Sequence, residues 1–398
     1  MGEWKTHLLG DICITNATSY SNKDGWEFVN YLDTGNITGN DIEEIQYINI
    51  SEGKLPSRAK RKVKYNSIIY STVRPNQLHY GIIKEQPDNF LVSTGFTVID
   101  VNESIADADF LYYWLTQTTL TEQLHSIAEQ STSAYPSIKA ADLEKLEIQL
   151  PSLDVQKKIS SILVSLDKKR KNNDALNRNL LDQGRVLYEE LISNYEVNAK
   201  LCDLISSIET GSRPKGGAQE SGVPSIGAEK IESFGVYDYS GEKYINEEFF
   251  EKLKRGRVLS GDVLLYKDGA YTGKTSMALN DFPHAKCAIN EHVYKLNSNE
   301  NQYQFFLYFT LDNKKNRDYI YTLASSKAAQ PGLNQTELLS VEIVMPDETA
   351  LIEFEENVSQ MMKMIASNAK ENRKLTILRD SLLPKLMSGE LDVSDLYI

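Results

Sequence analysis

One internal repeat limits the folds open to this chain more than any other feature of its sequence. Pro331 lies 195 positions after Pro136, and Pro346 lies 195 positions after Pro151. Three further blocks recur at nearly the same separation: Ile68-Ile69-Tyr70 with Leu264-Leu265-Tyr266, Phe110-Leu111-Tyr112 with Phe306-Leu307-Tyr308, and Leu9-Gly10-Asp11 with Leu201-Cys202-Asp203. A constant separation over several blocks is the mark of a duplicated structural unit. The 398 residues are therefore predicted to form two similar halves.

Each half begins with a segment typical of a mixed α/β domain. Residues 1–150 and 198–345 combine short β-rich runs, such as 67–73 and 262–266, with Gly, Asn and Asp turns. One amphipathic helix is predicted inside each segment, near residues 110–124 and 303–311. About 150 residues is an ordinary size for one domain.

Each half ends with a segment typical of one long helix, residues 151–197 and 346–398. In both, apolar residues follow the alternating spacing of three and four that forms a coiled-coil seam. The first seam comprises Val155, Ile159, Ile162, Leu166, Leu176, Leu180, Leu187 and Leu191. The second comprises Leu351, Phe354, Val358, Met361, Ile365, Leu375, Leu382 and Leu386. A single narrow seam needs a partner, although two unrelated surface helices that dock on their own domains would show a similar pattern.

Polar residues interrupt both seams and predict how the helices pair. Lys169 and Asn173 interrupt the first seam, and Asn368 and Asn372 interrupt the second. In an antiparallel pair Asn173 meets Asn372, and a buried asparagine fixes register at a cost in stability. The predicted fold class is therefore α+β: two mixed α/β domains separated by two long α-helices that form an antiparallel coiled coil.

Charge and cysteine content exclude several classes of protein. The formal net charge of -13 argues against a protein that is basic over its whole surface, but it leaves room for local basic patches. Cys13, Cys202 and Cys287 are too few and too far apart for a disulfide framework or a four-cysteine zinc site. Because no apolar run reaches membrane length and the start lacks a signal-peptide core, we expect a cytoplasmic protein without a membrane partner.

Basic residues cluster at matching places in the two halves and are candidate phosphate contacts. The first half has Arg58, Lys60, Arg61, Lys62 and Lys64, and the second half has Arg255 and Arg257. A basic surface that only faces solvent would give the same pattern.

Two further segments in each half carry side chains that can read DNA bases. Arginine and lysine pair with guanine, and asparagine and glutamine pair with adenine. The loop after Val73 offers Arg74, Asn76, Gln77, His79 and Tyr80, and its counterpart offers Lys267, Tyr271, Thr272, Lys274 and Thr275. The segments before the aligned prolines offer Ser131, Thr132 and Tyr135, and Ser326, Lys327 and Gln330. Solvated hairpin loops and simple connections between strands are the alternative interpretation of these segments.

Three stretches resemble a known family over the whole chain, the specificity subunits of Type I restriction-modification systems. They are Leu150-Pro151-Ser152-Leu153-Asp154-Val155-Gln156-Lys157-Lys158-Ile159, the ending Leu382-Leu383-Pro384-Lys385-Leu386-Met387-Ser388-Gly389-Glu390-Leu391, and the strand and loop Gly261-Asp262-Val263-Leu264-Leu265-Tyr266-Lys267-Asp268-Gly269. The second helix departs from the pattern, since Leu351 stands in the place of Gln156 and Met362 in that of Asp167.

The resemblance implies a DNA-reading adaptor that is not itself an enzyme. Residues 1–150 and 198–345 would be target-recognition domains, and residues 151–197 and 346–398 would be helical spacers. The implied partners are double-stranded DNA, two methyltransferase subunits and, in some systems, two restriction subunits. No cofactor is expected in this chain, whereas the partner subunits would use S-adenosylmethionine, ATP and Mg. Gln156, Ile159 and Asp167 are candidate docking residues, and the different loops of the two halves imply an asymmetric target in two parts.

Two other functions stay open at this point, a DNA-modifying enzyme with an undetected site and a coiled-coil scaffold without DNA specificity. The stretch from Gly269 to Thr275 resembles a phosphate-binding loop, but the motif requires glycine where Asp268 stands. His284 and Cys287 have a metal-like spacing without a second pair. The Asn/Asp-Pro-Pro-Tyr/Phe stretch of aminomethyltransferases is missing from the sequence. These observations favour the adaptor.

Overall fold

The fold is that of a computed structural model, which describes residues 4–131, 135–299, 302–326, 332–394 and 396. The chain forms two compact units. Unit 1 comprises Met1–Asp167 with Ile377–Ile398, and unit 2 comprises Lys168–Thr376. Each unit therefore contains one α/β domain and a part of each long helix.

Unit 1 has twelve strands and four short helices within the residues described. The strands are β1 (Lys5–Leu8), β2 (Cys13–Thr15), β3 (Phe28–Leu32), β4 (Ile37–Thr38), β5 (Asp41–Ile42), β6 (Gln46–Asn49), β7 (Ala59–Lys62), β8 (Ile68–Ser71), β9 (Tyr80–Ile82), β10 (Phe90–Ser93), β11 (Phe96–Val101) and β12 (Glu147–Leu150). The helices are α1 (Leu9–Ile12), α2 (Ala108–Leu115), α3 (Thr118–Glu129) and α4 (Ala140–Glu144), and the long helix α5 (Leu153–Ser193) follows.

The strands of unit 1 form two four-stranded sheets, a two-stranded sheet and a small hairpin. The sheet orders are β6-β3-β10-β7 and β2-β11-β8-β9, while β1 pairs with β12 and β4 with β5. Strand β8 is buried at all four positions because its β-branched and aromatic side chains pack on both faces of the sheet. The main core includes Leu9, Phe110 and Leu143, and it extends to Leu386 of the C-terminal segment.

Unit 2 repeats this set of elements. Its strands are β13 (Ala199–Lys200), β14 (Ile205–Thr210), β15 (Val223–Ile226), β16 (Tyr244–Ile245), β17 (Val263–Tyr266), β18 (Thr275–Met277), β19 (Ala288–Ile289), β20 (Val293–Ser298) and β21 (Glu342–Ile343). Its helices are α6 (Leu201–Leu204), α7 (Glu247–Lys252), α8 (Gln304–Asp312), α9 (Lys314–Ser325) and α10 (Gln335–Leu339), and the long helix α11 (Glu348–Met387) follows.

The two units share one topology, which confirms the duplication predicted from the repeat. The orders β14-β20-β17-β18 and β13-β21 match β2-β11-β8-β9 and β1-β12, and β16-β15-β19 matches the first three strands of β6-β3-β10-β7. The one parallel pairing also recurs, between β3 and β10 in unit 1 and between β15 and β19 in unit 2. The strands predicted near 67–73 and 262–266 are confirmed as β8 and β17.

The single helix predicted near 110–124 is wrong, because that segment is two helices, whereas the helix predicted near 303–311 is confirmed as α8 and is followed by a separate α9. In unit 1 the chain leaves the helical path at Thr116 and Gln117, between α2 and α3. In unit 2 the break is at Asn313, whose side-chain oxygen accepts hydrogen bonds from the backbone N–H of Lys315 (3.1 Å) and Asn316 (3.5 Å). Such a cap starts a new helix and competes with continuation of the old one.

The long helices α5 and α11 form an antiparallel pair with the predicted register. In unit 2 the Asn173 amide donates to Oδ1 of Asn372 (2.9 Å), and the Asn368 amide donates to Oδ1 of Asn177 (2.9 Å). In unit 1 Arg379 donates to Asp167 (3.0 Å). As the residue number increases along α5, the number of its partner on α11 decreases. The two helices are therefore antiparallel, and the predicted fold class is confirmed.

The seam predicted on α5 is wrong in detail. Of its eight predicted residues only Ile159 is buried, and Leu176 is 42% exposed. The buried side chains of α5 are Gln156, Ile159, Ser160, Leu163, Asn173, Asn177, Leu181 and Tyr188. Because the buried face includes two asparagines and a glutamine, apolar periodicity alone misplaces it. On α11, the seam residues Leu351, Phe354, Val358, Ile365 and Leu386 are buried as predicted.

The Asn173–Asn372 contact gives a prediction for stability. Replacing Asn173 alone with leucine should lower the free energy of unfolding by about 1–3 kcal/mol, because Oδ1 of Asn372 loses its buried donor. Replacing both asparagines with leucine should recover most of that loss, since two apolar side chains then face each other. Urea unfolding of the two single variants and the double variant measures this coupling. Strictly additive effects would contradict the pairing.

Candidate nucleic-acid interface

In unit 1 the two segments predicted to contact bases lie side by side. The backbone N–H of Ile138 donates to the carbonyl of Thr72 (2.8 Å), and that of Arg74 donates to the carbonyl of Pro136 (3.0 Å). The Arg74 guanidinium lies over the Tyr135 ring, 5.3 Å from its centroid. Ser131 is half-buried nearby in sequence, and Thr132 lies outside the described residues. One surface therefore combines the loop after β8 with the segment before Pro136.

The loop after β8 has a constrained backbone that presents polar side chains. Arg74 (φ 48°) and Leu78 (φ 58°) both adopt the left-handed conformation, which is uncommon for residues other than glycine. They flank a 3₁₀ turn, Pro75–Gln77, closed by a hydrogen bond from Gln77 N–H to the Arg74 carbonyl (2.9 Å). The side chains of Arg74, Asn76 and Gln77 are exposed. Backbone strain of this kind persists where surrounding contacts fix it, and it is frequent at binding sites.

His79 and Tyr80 support this loop and are not exposed contacts. The Nδ1–H of His79 donates to the carbonyl of Ile37 in the β4–β5 hairpin (2.6 Å). Tyr80 is only 8% exposed and stacks on Tyr70, with ring centroids 5.6 Å apart. Tyr80 begins strand β9 and is buried by this packing, so its role as a DNA contact stays a prediction that the burial does not favour.

Unit 2 brings the corresponding segments together through one equivalent hydrogen bond and one equivalent β-bridge. The N–H of Leu333 donates to the carbonyl of Lys267 (2.9 Å), and Asp268 forms a bridge with Gly332. Lys267 is therefore the structural counterpart of Thr72, at the same separation of 195 positions as the aligned prolines. Ser326 is exposed, whereas Lys327 and Gln330 lie outside the described residues.

The loop of unit 2 offers fewer accessible side chains than predicted. Thr272 and Thr275 are buried, and their hydroxyls donate to the carbonyls of Gly269 (2.8 Å) and Gly273 (3.1 Å), so both act in the fold of the loop. Tyr271 is exposed, and the Lys274 ammonium lies 4.5 Å from its ring centroid. Lys274 also forms an ion pair with Glu232 (2.6 Å).

The predicted phosphate contacts of unit 1 lie on and beside strand β7, at the edge of its sheet. Arg58, Lys60 and Lys64 are exposed. Arg61 is half-buried, and Lys62 forms an ion pair with Asp24 (2.5 Å) while lying over the Trp26 ring. Three of the five basic side chains thus face solvent, and Lys62 is bound within the fold.

Of the two matching basic residues of unit 2, one is likewise exposed and the other is bound within the fold. Arg255 is exposed, whereas Arg257 folds over the Phe250 ring (4.9 Å) and donates to the carbonyl of Glu251 (2.5 Å). Arg255 is therefore the better placed of the two for an external phosphate.

The three residues predicted to dock partners are committed to contacts inside unit 1. Gln156 and Ile159 are 0% and 1% exposed. The Gln156 carbonyl oxygen accepts from the N–H of Asp107 (2.9 Å), at the start of α2. Asp167 accepts from the Tyr113 hydroxyl (2.8 Å), and burial together with this carboxylate raises the pKa of Tyr113. Gln156 and Ile159 are thus buried where the first turns of α5 pack against α2, and their role in docking partners stays a prediction.

Three polar residues near the loop of unit 2 were missed by the sequence analysis. Arg213 forms an ion pair with Glu291 (2.9 Å), and His292 contacts Asp268 (3.1 Å). The available signal was the segment Gly211-Ser212-Arg213-Pro214-Lys215-Gly216-Gly217, which places two basic residues in a glycine-rich turn.

The described residues carry neither a recognisable metal site nor a membrane span. Among them, no group of His, Cys, Asp and Glu side chains is arranged to hold a metal ion. Burial raises the pKa of the Cys287 thiol to about 12, which keeps it protonated. Within the same residues, no helix has both the length and the apolar character needed to cross a membrane.

Residues 1–180 match the model of the Type I restriction modification DNA specificity domain. The specificity subunit of the Type I restriction enzyme HindI from Haemophilus influenzae is 23% identical over 462 residues, covering 98% of this chain and 100% of that protein. The specificity subunit of the Type I restriction enzyme MjaIX from Methanocaldococcus jannaschii is 24% identical over 387 residues, covering 90% and 87%.

The fold is also similar to a solved structure. The crystal structure of a Type I restriction-modification system S subunit from M. genitalium aligns with a TM-score of 0.59 at 14% identity, covering 97% of this chain and 96% of that one. The family match lies on the first half of the chain, and the duplicated topology extends the same fold to the second half. The chain is therefore similar, in its first half to the DNA specificity domain and over nearly its whole length to specificity subunits of Type I restriction enzymes.

Proposed function

We propose that this chain recognises DNA sequence for a Type I restriction-modification complex, with each α/β domain reading one part of an asymmetric target in two parts. The observation that carries the proposal is the pair of equivalent loops with different side chains. Thr72 and Val73 in unit 1 occupy the backbone positions of Lys267 and Asp268 in unit 2. Two domains of the same fold that present different polar side chains at equivalent positions can recognise two different base sequences.

We further propose distinct roles for the domains and the helices. Residues 1–150 and 198–345 are the target-recognition domains, and the helical regions 151–197 and 346–398 set the gap between the parts of the target. The register fixed by the asparagine pairs supports a stiff spacer of defined length.

The remaining partners follow from the same proposal. Two methyltransferase subunits and, where present, two restriction subunits assemble with the chain in the cytoplasm. This chain supplies specificity and no catalysis, while the partner subunits use S-adenosylmethionine, ATP and Mg.

Binding to DNA distinguishes this proposal from its alternatives. The assembled complex should bind duplexes carrying its target with an affinity that depends on both sequence and salt. A coiled-coil scaffold would show no sequence dependence, and a complete modifying enzyme would methylate or cut DNA as the purified chain alone.

Arg74 gives a prediction for the first domain. Replacing Arg74 with alanine should weaken discrimination by about 1–3 kcal/mol at a base pair in one part of the target only, because its exposed guanidinium is held on Tyr135. The measurement is competition binding between duplexes that differ at single positions. Arg58→Ala is the comparison, since Arg58 is an exposed arginine of the same domain and a candidate phosphate contact, so that its replacement should weaken binding to all duplexes alike. If Arg74→Ala weakened all duplexes equally, Arg74 would contact phosphate.

A further inference from the structure

Five charged or titratable side chains form a continuous network on unit 2. Lys267 forms an ion pair with Asp268, and Asp268 contacts Nδ1 of His292 (3.1 Å). Nε2 of His292 lies 3.6 Å from Glu291, and Glu291 forms an ion pair with Nη2 of Arg213 (2.9 Å). The side chain of Lys267 is 17% exposed, and that of Arg213, at the other end of the network, is 60% exposed. The network therefore ends in an arginine that is anchored at one nitrogen and open to solvent.

The fold does not require this network. The N–H of Lys267 donates to the carbonyl of His292 (3.1 Å), just as the N–H of Thr72 donates to the carbonyl of Gly95 (2.8 Å) in unit 1. Unit 1 thus builds the same backbone connection with Thr72 and Gly95, which are small and uncharged. The charged side chains of unit 2 are an addition to a shared scaffold, and such an addition indicates a role outside folding.

A glycine brings Arg213 to the network. The N–H of Gly211 donates to the carbonyl of Asn290 (3.2 Å), and a Cβ at position 211 would overlap the carbonyl oxygen of Ile289. Only glycine lets the chain pass this close to the segment before β20. Two residues later, the Arg213 side chain meets Glu291.

We propose that Arg213 reads a guanine in the part of the target that belongs to the second domain, and that Glu291 is its positioning residue. This inference rests on the proposed function. A guanidinium carries five N–H donors in a planar fork, so an arginine held at Nη2 keeps donors for O6 and N7 of guanine. The ion pair with Glu291 restricts the rotamers of Arg213 before DNA arrives, which lowers the entropy lost on binding.

The test is selection of duplexes from a randomised DNA pool by the chain assembled with its modification subunit. For Arg213→Ala we expect discrimination at one G·C pair to fall roughly 5- to 150-fold, while the other positions of the selected sequence stay as in the wild type. Arg213→Lys keeps the charge but loses the planar fork, so it should retain affinity and lose part of the preference at the same pair. Glu291→Gln should weaken that preference less than Arg213→Ala does.

Lys215→Ala is the matched control, because Lys215 is an exposed cation two positions away in the same turn. It should leave the selected sequence unchanged. A uniform loss of affinity for Arg213→Ala, with a salt dependence weaker by about one charge, would make Arg213 a phosphate contact and overturn the inference.

The failure of this inference can be told apart from failure of the proposed function. If the wild-type complex selects a defined sequence and Arg213→Ala selects the same one with equal preference, only the guanine assignment is overturned. If the wild-type complex selects no sequence at all, the proposed function is overturned. Arg213 is largely exposed, and thermal unfolding of each variant checks that the loop change leaves the fold intact.

Discussion

Replacing Glu242 with alanine is expected to lower the free energy of unfolding of unit 2 by about 3–5 kcal/mol, because three hydrogen-bond donors lose one buried acceptor. The Glu242 side chain is 5% exposed and accepts three hydrogen bonds. Its donors are Nε2–H of His284 (2.5 Å) and the hydroxyls of Tyr237 (2.8 Å) and Tyr244 (3.1 Å). Removing the carboxylate leaves these groups without an acceptor, and buried donors without partners are costly.

The loss should extend to helix α11 through Arg373. Arg373 donates from Nη1 to Nδ1 of His284 (3.3 Å) and lies over the Tyr239 ring, 4.1 Å from its centroid. Because Nδ1 accepts and Nε2 donates, His284 is neutral in this network. Burial and the Arg373 charge lower the pKa of His284, which agrees with that assignment.

Urea unfolding of the variant measures this effect. Glu248→Ala is the control, since Glu248 is an exposed acid on nearby α7 whose ion pair with Lys252 faces solvent. The control should unfold at nearly the wild-type urea concentration. Equal shifts for the two variants would contradict a stabilising role for the buried network.

Replacing Glu355 with glutamine is expected to remove a pH-dependent loss of stability from unit 2. Glu355, on α11, accepts from the backbone N–H groups of Phe305 (3.3 Å) and Phe306 (2.7 Å) at the start of α8. Burial raises the pKa of Glu355 from 4.5 to about 7. The folded state therefore holds this proton more tightly than the unfolded state does.

The direction of the effect follows from that difference. The contribution of Glu355 to stability is fully present below pH 4.5 and is lost as the pH rises through about 7. A shift of this size corresponds to about 3 kcal/mol between pH 4 and pH 8. The lowered pKa of His284 acts in the opposite sense, since stability then rises as the pH passes through the ordinary histidine range.

The difference in unfolding free energy between Glu355→Gln and the wild type reports on Glu355 alone, because the contribution of His284 is the same in both proteins. Unfolding free energies at several pH values from 4 to 8 should converge at low pH and favour Glu355→Gln at pH 8. A difference that does not change with pH would show that folding does not raise the pKa of Glu355.

The duplicated topology and the register of the long helices could be predicted from the sequence, because the repeat and the interrupting asparagines specify them. A separation of 195 positions predicts the duplicated topology, and the pairing of Asn173 with Asn372 fixes the helix register. Both signals depend on residue identity at defined spacings. Such patterns can be recognised without any knowledge of tertiary contacts.

The remaining features depend on contacts that no local pattern reveals. Gln156 and Asn177 are polar, yet their hydrogen bonds let them occupy the buried face of α5. Thr272 looks like an accessible loop residue, but its hydroxyl is used inside the turn. Arg213 becomes a candidate contact only because the chain at Gly211 passes against Ile289.

The proposal that the paired helices set the gap between the two parts of the target can be tested by lengthening both helices together. Within unit 2 the observed register places Lys169 opposite Thr376, and both helices pass from one compact unit to the other beside these residues. Seven residues inserted after Lys168 and seven inserted after Thr376 would extend the pair by about 10 Å. A heptad returns each helix to nearly the same face, so the flanking contacts are kept.

Mapping methylated sites in the DNA of cells that carry the lengthened chain with its modification subunit is the most direct measurement. If the helices are the spacer, both parts of the target keep their bases and the unread gap grows by about 3 base pairs. Methylation at the original gap length would contradict the account.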